Sequence, residues 1–213
     1  MYKLYNVKAW GSLSIHCLLE EMEVPYTNIW MTAEQVRAPE FRAISPLGQV
    51  PALGLADGRA LFESAAIITF LVTAHPDKAM APAVGSEDFG EFLSWLQFLA
   101  TNLYITNNLA FPGSIYAADA AHDAFVAGKA AERADSYWQL LEDRLGAEGP
   151  WLMGEDYSAL DIYMFMITLW GRPSEVELRA RFPRIAAHAG AVRARPKLKA
   201  ALEAHGVMEV GGY

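Results

Sequence analysis

The first third of the chain alternates between short runs of strand character and stretches with the apolar spacing of an amphipathic helix. Apolar residues recur every three or four positions from Leu13 to Met22, with glutamates on the other side, which predicts a helix there. A further helix is predicted over 63–73, an irregular one over 32–44, and strands over 2–7, 26–31, 50–55 and 59–62. The strand–helix–strand order requires a parallel pair, and the Asp57–Gly58 turn adds an antiparallel edge.

The rest of the chain has helical spacing, and strand alternation does not return. A stretch near residues 75–87 contains prolines, a glycine and charges without periodicity, as is typical of a linker. Beyond it, helices are predicted over 89–111, 118–146, 158–170, 176–182 and 183–204. We therefore predict a small α/β domain over residues 1–76, a linker over 77–87 and an all-helical domain over 88–213.

Composition and charge exclude several classes of protein. With 53% apolar and 20% charged residues, the chain can bury a sizeable core, which excludes a disordered protein. The formal net charge of −8 argues against nucleic acid as a partner, because a phosphate backbone attracts clustered Lys and Arg. The single cysteine, Cys17, excludes a disulfide framework, and no spacing of histidines or cysteines suggests a metal site. Short apolar runs and the lack of a signal-peptide pattern predict no membrane partner and a cytoplasmic location.

The segment around Val50 and Pro51 is the most informative local feature. A cis peptide between these residues would turn the Val50 backbone outward and leave its N–H and C=O free to pair with an extended ligand. The alternative is an ordinary trans proline at the start of an edge strand, which is far more common.

Two serines stand where helices are expected to begin. Ser64, after Glu63, could hold a ligand carboxylate with its hydroxyl and the positive end of the helix. Ser12, in the turn after the first strand, could donate a hydrogen bond to a thiolate. For both serines the alternative is a simple helix cap.

These features, in this order and spacing, resemble the cytosolic glutathione transferase family. The segment Ser-Pro-Leu-Gly-Gln-Val-Pro-Ala-Leu at residues 45–53, followed by Glu63-Ser64, looks like its glutathione-binding signature. Ser-Ala-Leu-Asp at 158–161 resembles the N-capping box of its helical domain, in which Ser158 and Asp161 satisfy each other's backbone. Phe182-Pro183-Arg184-Ile185 to Arg195-Pro196 also resembles the family, so the likeness covers nearly the whole chain.

The resemblance implies a thioredoxin-like first domain with a cis proline at Pro51 and a homodimer. It implies that Val50 pairs through its backbone with the cysteinyl part of glutathione, while Glu63 and Ser64 hold the γ-glutamyl end. Gln49 belongs to the same signature and is included in the glutathione site. Glutathione is the implied co-substrate, and the second, hydrophobic substrate is expected between the two domains.

The catalytic residue departs from the family's commoner patterns. Bacterial members often carry a cysteine just before a Ser-Leu-x-x-His segment, but Gly11 stands there, and the activating tyrosine of other classes is also missing. Ser12 is the best remaining donor, as in serine-type classes. Tyr104 could also face the thiol, or it could be an ordinary half-buried helical tyrosine. A backbone N–H in the turn from Trp10 to Ser12 is the third candidate for stabilising the thiolate. The candidate substrate residues are Trp10, Tyr104, Asn107, Asn108, Phe111 and Tyr116.

The resulting hypothesis is a glutathione transferase that activates the glutathione thiol and conjugates it to a small hydrophobic electrophile. Two alternatives remain open. One is another glutathione-dependent reaction, such as ether cleavage, isomerisation, dehalogenation or peroxide reduction. The other is a non-catalytic binding module, which the missing tyrosine and cysteine suggest.

Overall fold

The computed structural model describes residues 1–111, 113 and 117–212 and divides into two compact units. The first unit consists of Met1–Phe89 together with Arg193–Gly212, and the second consists of Gly90–Val192. Among the described helices, none combines the length and the apolar character that a bilayer-spanning segment needs.

A four-stranded mixed sheet forms the centre of the first unit. Its strands are β1 (Tyr2–Asn6), β2 (Tyr26–Trp30), β3 (Ala52–Gly54) and β4 (Ala60–Phe62). The strand order is β2-β1-β3-β4, with β1 and β2 parallel and the other two pairs antiparallel. This is the thioredoxin-like arrangement that the family resemblance implies. The parallel β1–β2 pair is the one expected from the strand–helix–strand order, and the Asp57–Gly58 turn joins β3 to β4 as predicted.

Three helices accompany this sheet within the first 89 residues. They are α1 (Leu13–Met22), α2 (Ala33–Arg37) and α3 (Ser64–Ala74). Leu4 of β1 and Leu53 of β3, which are opposite each other in the register, are fully buried. Nearly every side chain of α1 is also buried, because α1 packs between the sheet and the end of the chain.

The second unit is entirely helical in its described part, apart from two isolated bridges between 151 and 156. Its helices are α4 (Glu87–Gln97), α5 (Tyr104–Leu109), α6 (Ala120–Glu148), α7 (Ala159–Thr168), α8 (Glu175–Arg181) and α9 (Pro183–Arg193). Helix α7 is buried along its whole length and begins with the predicted capping box of Ser158 and Asp161. The single helix predicted over 89–111 is interrupted by a π-helical turn, Phe98–Leu103, since apolar spacing over six residues does not separate a π turn from an α turn.

The end of the chain belongs to the first unit and not to the helical one. Arg195 forms a two-pronged ion pair with Glu21 of α1, with N–O distances of 2.7 and 2.8 Å. The last helix, α10 (Lys199–His205), also packs against α1. The single helix predicted over 183–204 is divided into α9 and α10 by a 3₁₀ turn at Pro196–Leu198, because a proline cannot continue an α-helix. The sequence pattern did not indicate the partner of this segment, because periodicity shows which face is buried and not what covers it.

Candidate functional site

The loop before β3 presents an unpaired stretch of backbone. The Val50–Pro51 peptide is cis, and Pro51 is buried at the start of the strand. Neither the N–H nor the C=O of Val50 has a hydrogen-bond partner among the described residues. The loop is held by its own bonds, because Gly48 N–H donates to the Ser45 carbonyl (2.8 Å) and Gln49 N–H donates to the Ser45 hydroxyl (3.3 Å). The free backbone groups of Val50 are therefore presented by a fixed loop.

The start of α3 lies at the same end of the sheet. Ala52 pairs with Phe62 in the antiparallel β3–β4 register. Val50 lies two residues before Ala52 and Glu63 one residue after Phe62, so the two residues are neighbours at the same end of the sheet. Glu63 is exposed and has φ +68° and ψ +112°, a conformation that costs a non-glycine residue about 1–3 kcal/mol. No side chain caps the helix at this position, so its N-terminal amides and positive dipole favour an anion.

Ser12 is fully buried, and its hydroxyl is committed to the backbone of Val7. The hydroxyl accepts from Val7 N–H at 3.1 Å and donates to the Val7 carbonyl at 3.3 Å. Ser12 stands just before α1 but makes no cap with its side chain. This arrangement gives Ser12 a structural position and does not support direct contact between its hydroxyl and a ligand sulfur.

Two backbone amides of the same turn differ from the Ser12 hydroxyl in their hydrogen bonding. Gly11 N–H and Ser12 N–H have no hydrogen-bond partner in the described part of the chain. They precede α1, whose N-terminus carries a partial positive charge. Trp10, from this turn, and Val50 pack against one apolar cluster of Val7, Val36, Phe41 and Ala52. The turn after β1 and the loop before β3 are thus neighbours.

Most candidate residues of the second unit gather around α5. The Tyr104 ring lies edge-on to Trp170, with centroids 5.0 Å apart, and burial raises the pKa of its hydroxyl while a hydrogen bond with Asn108 opposes this. Asn107 is buried and donates to the Trp170 carbonyl (3.3 Å), whereas Asn108 is exposed. Tyr104, Asn107 and Asn108 thus occupy one short helix beside residue 170, a partner that sequence reasoning missed.

Phe111 follows α5 and is 40% exposed, with the Arg172 guanidinium 5.7 Å from its ring centroid. It also lines an open cavity of ≈ 610 Å³ that includes Arg172 and Arg181. Neither arginine is a candidate from the sequence, because Arg172 lies between two predicted helices and Arg181 lies within the predicted helix over 176–182. The remaining candidate, Tyr116, lies outside the described residues.

Sequence reasoning also missed the buried neighbour of the turn after β1. His205 of α10 accepts a hydrogen bond from Ala9 N–H through Nδ1 at 2.9 Å. No sequence signal indicates this contact, since the two residues stand at opposite ends of the chain. Within the described ranges, no group of three or more His, Cys, Asp or Glu side chains is arranged to hold a metal ion.

Comparisons with known proteins agree with this arrangement. A family model of the glutathione S-transferase N-terminal domain matches residues 12–74, and one of the C-terminal domain matches residues 110–205. The chain belongs to the glutathione S-transferase family. The four-stranded thioredoxin-like domain and the all-helical domain are those of this family, so the predicted fold class is confirmed.

Similar glutathione S-transferases cover the chain almost completely. An uncharacterised GST-like protein of Escherichia coli K12, YncG, is 30% identical and covers 95% of this chain and 98% of its own length. The glutathione S-transferase GstA of Escherichia coli O157:H7 is 27% identical over 96% of this chain and 99% of its own. A sphingomonad glutathione S-transferase solved in complex with glutathione is 27% identical, with a TM-score of 0.82 over 96% and 99% of the two chains.

Proposed function

We propose that this protein binds glutathione at the loop before β3 and the start of α3 and conjugates its thiolate to a small hydrophobic electrophile. The observation that carries the proposal is the unpaired N–H and C=O of Val50 beside the uncapped start of α3. The sphingomonad relative, solved with glutathione bound, supports glutathione as the co-substrate.

The chemistry of glutathione matches these groups one by one. It is an extended tripeptide, so its cysteinyl backbone pairs with Val50 in the manner of an added strand. Its γ-glutamyl carboxylate binds at Ser64 and the amides at the start of α3, where the helix dipole favours a negative charge. Its ammonium group faces the Glu63 carboxylate, and Gln49 borders the same loop.

The turn after β1 supplies the activation of the thiol. A free thiol has a pKa of about 8.5, so most of it is protonated at neutral pH although the thiolate is the nucleophile. The N–H groups of Gly11 and Ser12, together with the N-terminus of α1, stabilise that anion. Each unit by which they lower the thiol pKa corresponds to about 1.4 kcal/mol.

Calorimetric titration with glutathione tests the binding half of the proposal. We expect saturable binding that S-methylglutathione competes for, since the cysteinyl backbone and the γ-glutamyl end are unchanged in that compound. Incubation with glutathione and chlorodinitrobenzene then tests the chemistry, and we expect the thioether product. The absence of binding at millimolar glutathione would contradict the proposal.

A non-catalytic glutathione-binding module is the second candidate function. The observation that favours it is the burial of the Ser12 hydroxyl against Val7, next to Gly11 at the position where bacterial members often carry cysteine. This candidate predicts glutathione binding without any product. Ether cleavage, isomerisation, dehalogenation and peroxide reduction share the same glutathione site, and product analysis over a substrate panel separates them from conjugation.

The assembly and location of the protein are part of the same proposal. The family resemblance suggests a homodimer in the cytoplasm, with each chain contributing its own glutathione site. Light scattering of the purified protein after size exclusion tests the dimer, since the 23.5 kDa chain and a pair of chains differ twofold in mass. A monomer at micromolar concentration would contradict it.

A further inference from the structure

A buried chain of hydrogen bonds runs from the last helix of the first unit to the turn after β1. His205 of α10 accepts from Ala9 N–H through Nδ1 at 2.9 Å, and its Nε2 lies 3.0 Å from Nδ1 of His16 in α1. Both histidines are at most 5% exposed. This series of hydrogen bonds therefore joins three separate parts of the sequence in a buried environment.

The network assigns the proton positions of both rings. Because Ala9 N–H donates to Nδ1 of His205, that nitrogen carries a lone pair and the ring proton is on Nε2. Nε2–H of His205 then donates to Nδ1 of His16, which places the His16 proton on Nε2, where it faces the Glu20 carboxylate at 4.0 Å. The hydrogen bonds therefore all run in the same direction, from Ala9 through His205 to His16.

The surroundings keep the pair uncharged. The Trp30 ring packs on His205 with centroids 5.1 Å apart, and the side-chain nitrogen of Asn6 lies 3.2 Å from Nδ1 of His16. Burial, followed by the nearby His16 and Lys8, lowers the pKa of His205 to about 3. Burial lowers the pKa of His16 as well, against an opposing effect of Glu20. The acceptor for Ala9 N–H is therefore present throughout the neutral range of pH.

Ala9 needs such a partner because its own conformation is unfavourable. It is buried and has φ +54°, in the left-handed region that costs a residue with a Cβ about 1–2 kcal/mol. The turn it begins continues through Trp10 to Gly11 and Ser12, the residues whose amides have no partner in the described structure. The direction of those amides depends on the conformation of Ala9.

We propose that His205 is a positioning residue for thiol activation, which acts by fixing Ala9 and, through it, the Gly11 and Ser12 amides. The inference rests on the proposed function, in which those amides bind the glutathione sulfur. His205 itself touches no substrate in this scheme. His16 supports it by accepting its Nε2–H and so keeping its Nδ1 lone pair directed at Ala9.

Two variants of His205 separate the positioning role from simple packing. His205→Asn places an amide oxygen near the position of Nδ1 and keeps an acceptor for Ala9, while His205→Leu removes it. Arg195→Met is the matched control, because Arg195 ties the same C-terminal segment to Glu21, near the end of α1 that lies away from the turn. Hydrogen exchange of the Ala9 amide is measured on each, without ligand, together with kcat, KM for glutathione and the pH–rate profile.

We expect His205→Leu to speed exchange at Ala9, to raise the apparent thiol pKa by about one unit and to lower kcat about tenfold at neutral pH, with KM changed less than about twofold. In His205→Asn, the exchange rate of Ala9, the thiol pKa and kcat should stay close to the parent values. Arg195→Met should lower only the stability of the protein. The inference is overturned if kcat is the same in His205→Leu and the parent, or if Arg195→Met loses as much kcat as His205→Leu does. A parent protein that binds no glutathione overturns the proposed function instead, and slow Ala9 exchange in His205→Leu still overturns the positioning role in that case.

Discussion

Helices α1 and α3 of the first unit both begin beside a serine, but the two serines have different surroundings. At α1, Ser12 is fully buried, and both hydrogen bonds of its hydroxyl go to Val7. At α3, Ser64 is only partly buried and follows the exposed Glu63, whose backbone is held in an unfavourable conformation. The start of α1 is thus buried in the core, whereas the start of α3 is more exposed and follows a residue with a strained backbone.

The difference shows that the residue type at a helix start does not decide what its hydroxyl does. Serine is a preferred N-cap, yet Ser12 makes no side-chain cap at α1, and at α3 the cap position is occupied by Glu63, which makes none either, while Ser64 is the first residue of the helix. At α1, burial required a partner for Val7 N–H, and Ser12 supplied it. At α3, Glu63 is exposed and its side chain does not cap the helix. Four measurements would sharpen or break this contrast.

The largest expected effect concerns pH and two buried histidines, His16 of α1 and His205 of α10. The pKa of His205 is about 3 in the folded protein, against about 6.5 for an unfolded histidine, and that of His16 is also lowered. Between these values the unfolded chain binds more protons, so the free energy of unfolding falls as pH decreases and is unaffected by this group above about pH 7. For His205 alone the loss at pH 4 is about 3 kcal/mol.

Urea denaturation of the parent and of His205→Asn from pH 7 to pH 4 measures this effect. The variant lacks the titrating ring, so its free energy of unfolding should fall less steeply over that range. Carboxylates elsewhere affect both proteins equally and cancel in the difference. Parallel curves would show that His205 is not held neutral in the folded state.

The next effect is on stability at Ser12. We expect Ser12→Ala to lower the free energy of unfolding by about 2 kcal/mol, because Val7 N–H is left buried without a partner. Glutathione affinity should change less than about twofold, since the hydroxyl has no ligand role in this arrangement. Ser136→Ala, on the exposed face of α6, is the control and should change stability by less than about 0.5 kcal/mol. A large loss of turnover with unchanged stability would restore Ser12 as the thiol donor.

Local patterns in the sequence were enough to predict the order of the strands and most of the helices. The strand–helix–strand order, the Asp57–Gly58 turn and the capping box of Ser158 each depend on residues a few positions apart. The cis peptide at Val50–Pro51 is present as the family resemblance implied, although the residues alone left the commoner trans form open.

Interactions between distant residues could not be predicted in this way. The bond between Ala9 and His205 and the ion pair between Glu21 and Arg195 each join the two ends of the chain. The role of Ser12 depends on which backbone group is buried beside it, and only the packed structure decides that. These are tertiary contacts, and neither periodicity nor capping preference carries information on them.

Ser64 should show the reverse of Ser12. We expect Ser64→Ala to weaken glutathione binding about tenfold, because a hydroxyl bond to a carboxylate contributes about 1.5 kcal/mol. Calorimetric titration measures the affinity, and urea denaturation of the same protein shows whether stability stays near that of the parent. Thr69→Ala is the matched control, since its hydroxyl bonds only to the Ala65 carbonyl within α3. Equal affinity in all three proteins would remove Ser64 from the site.

The smallest effect is expected at Glu63, where strain and ligand binding meet. Glycine adopts φ +68° without the clash of a Cβ, so Glu63→Gly relieves strain but also gives the unfolded chain more freedom. The net gain in stability should be about 0.5 kcal/mol, while loss of the carboxylate weakens glutathione binding about threefold. Glu63→Ala keeps the strain and loses the same charge, so it should show the weaker binding without the gain in thermal stability. If both variants gain stability equally, the Glu63 carboxylate, and not the backbone conformation of this residue, is what destabilises the start of α3.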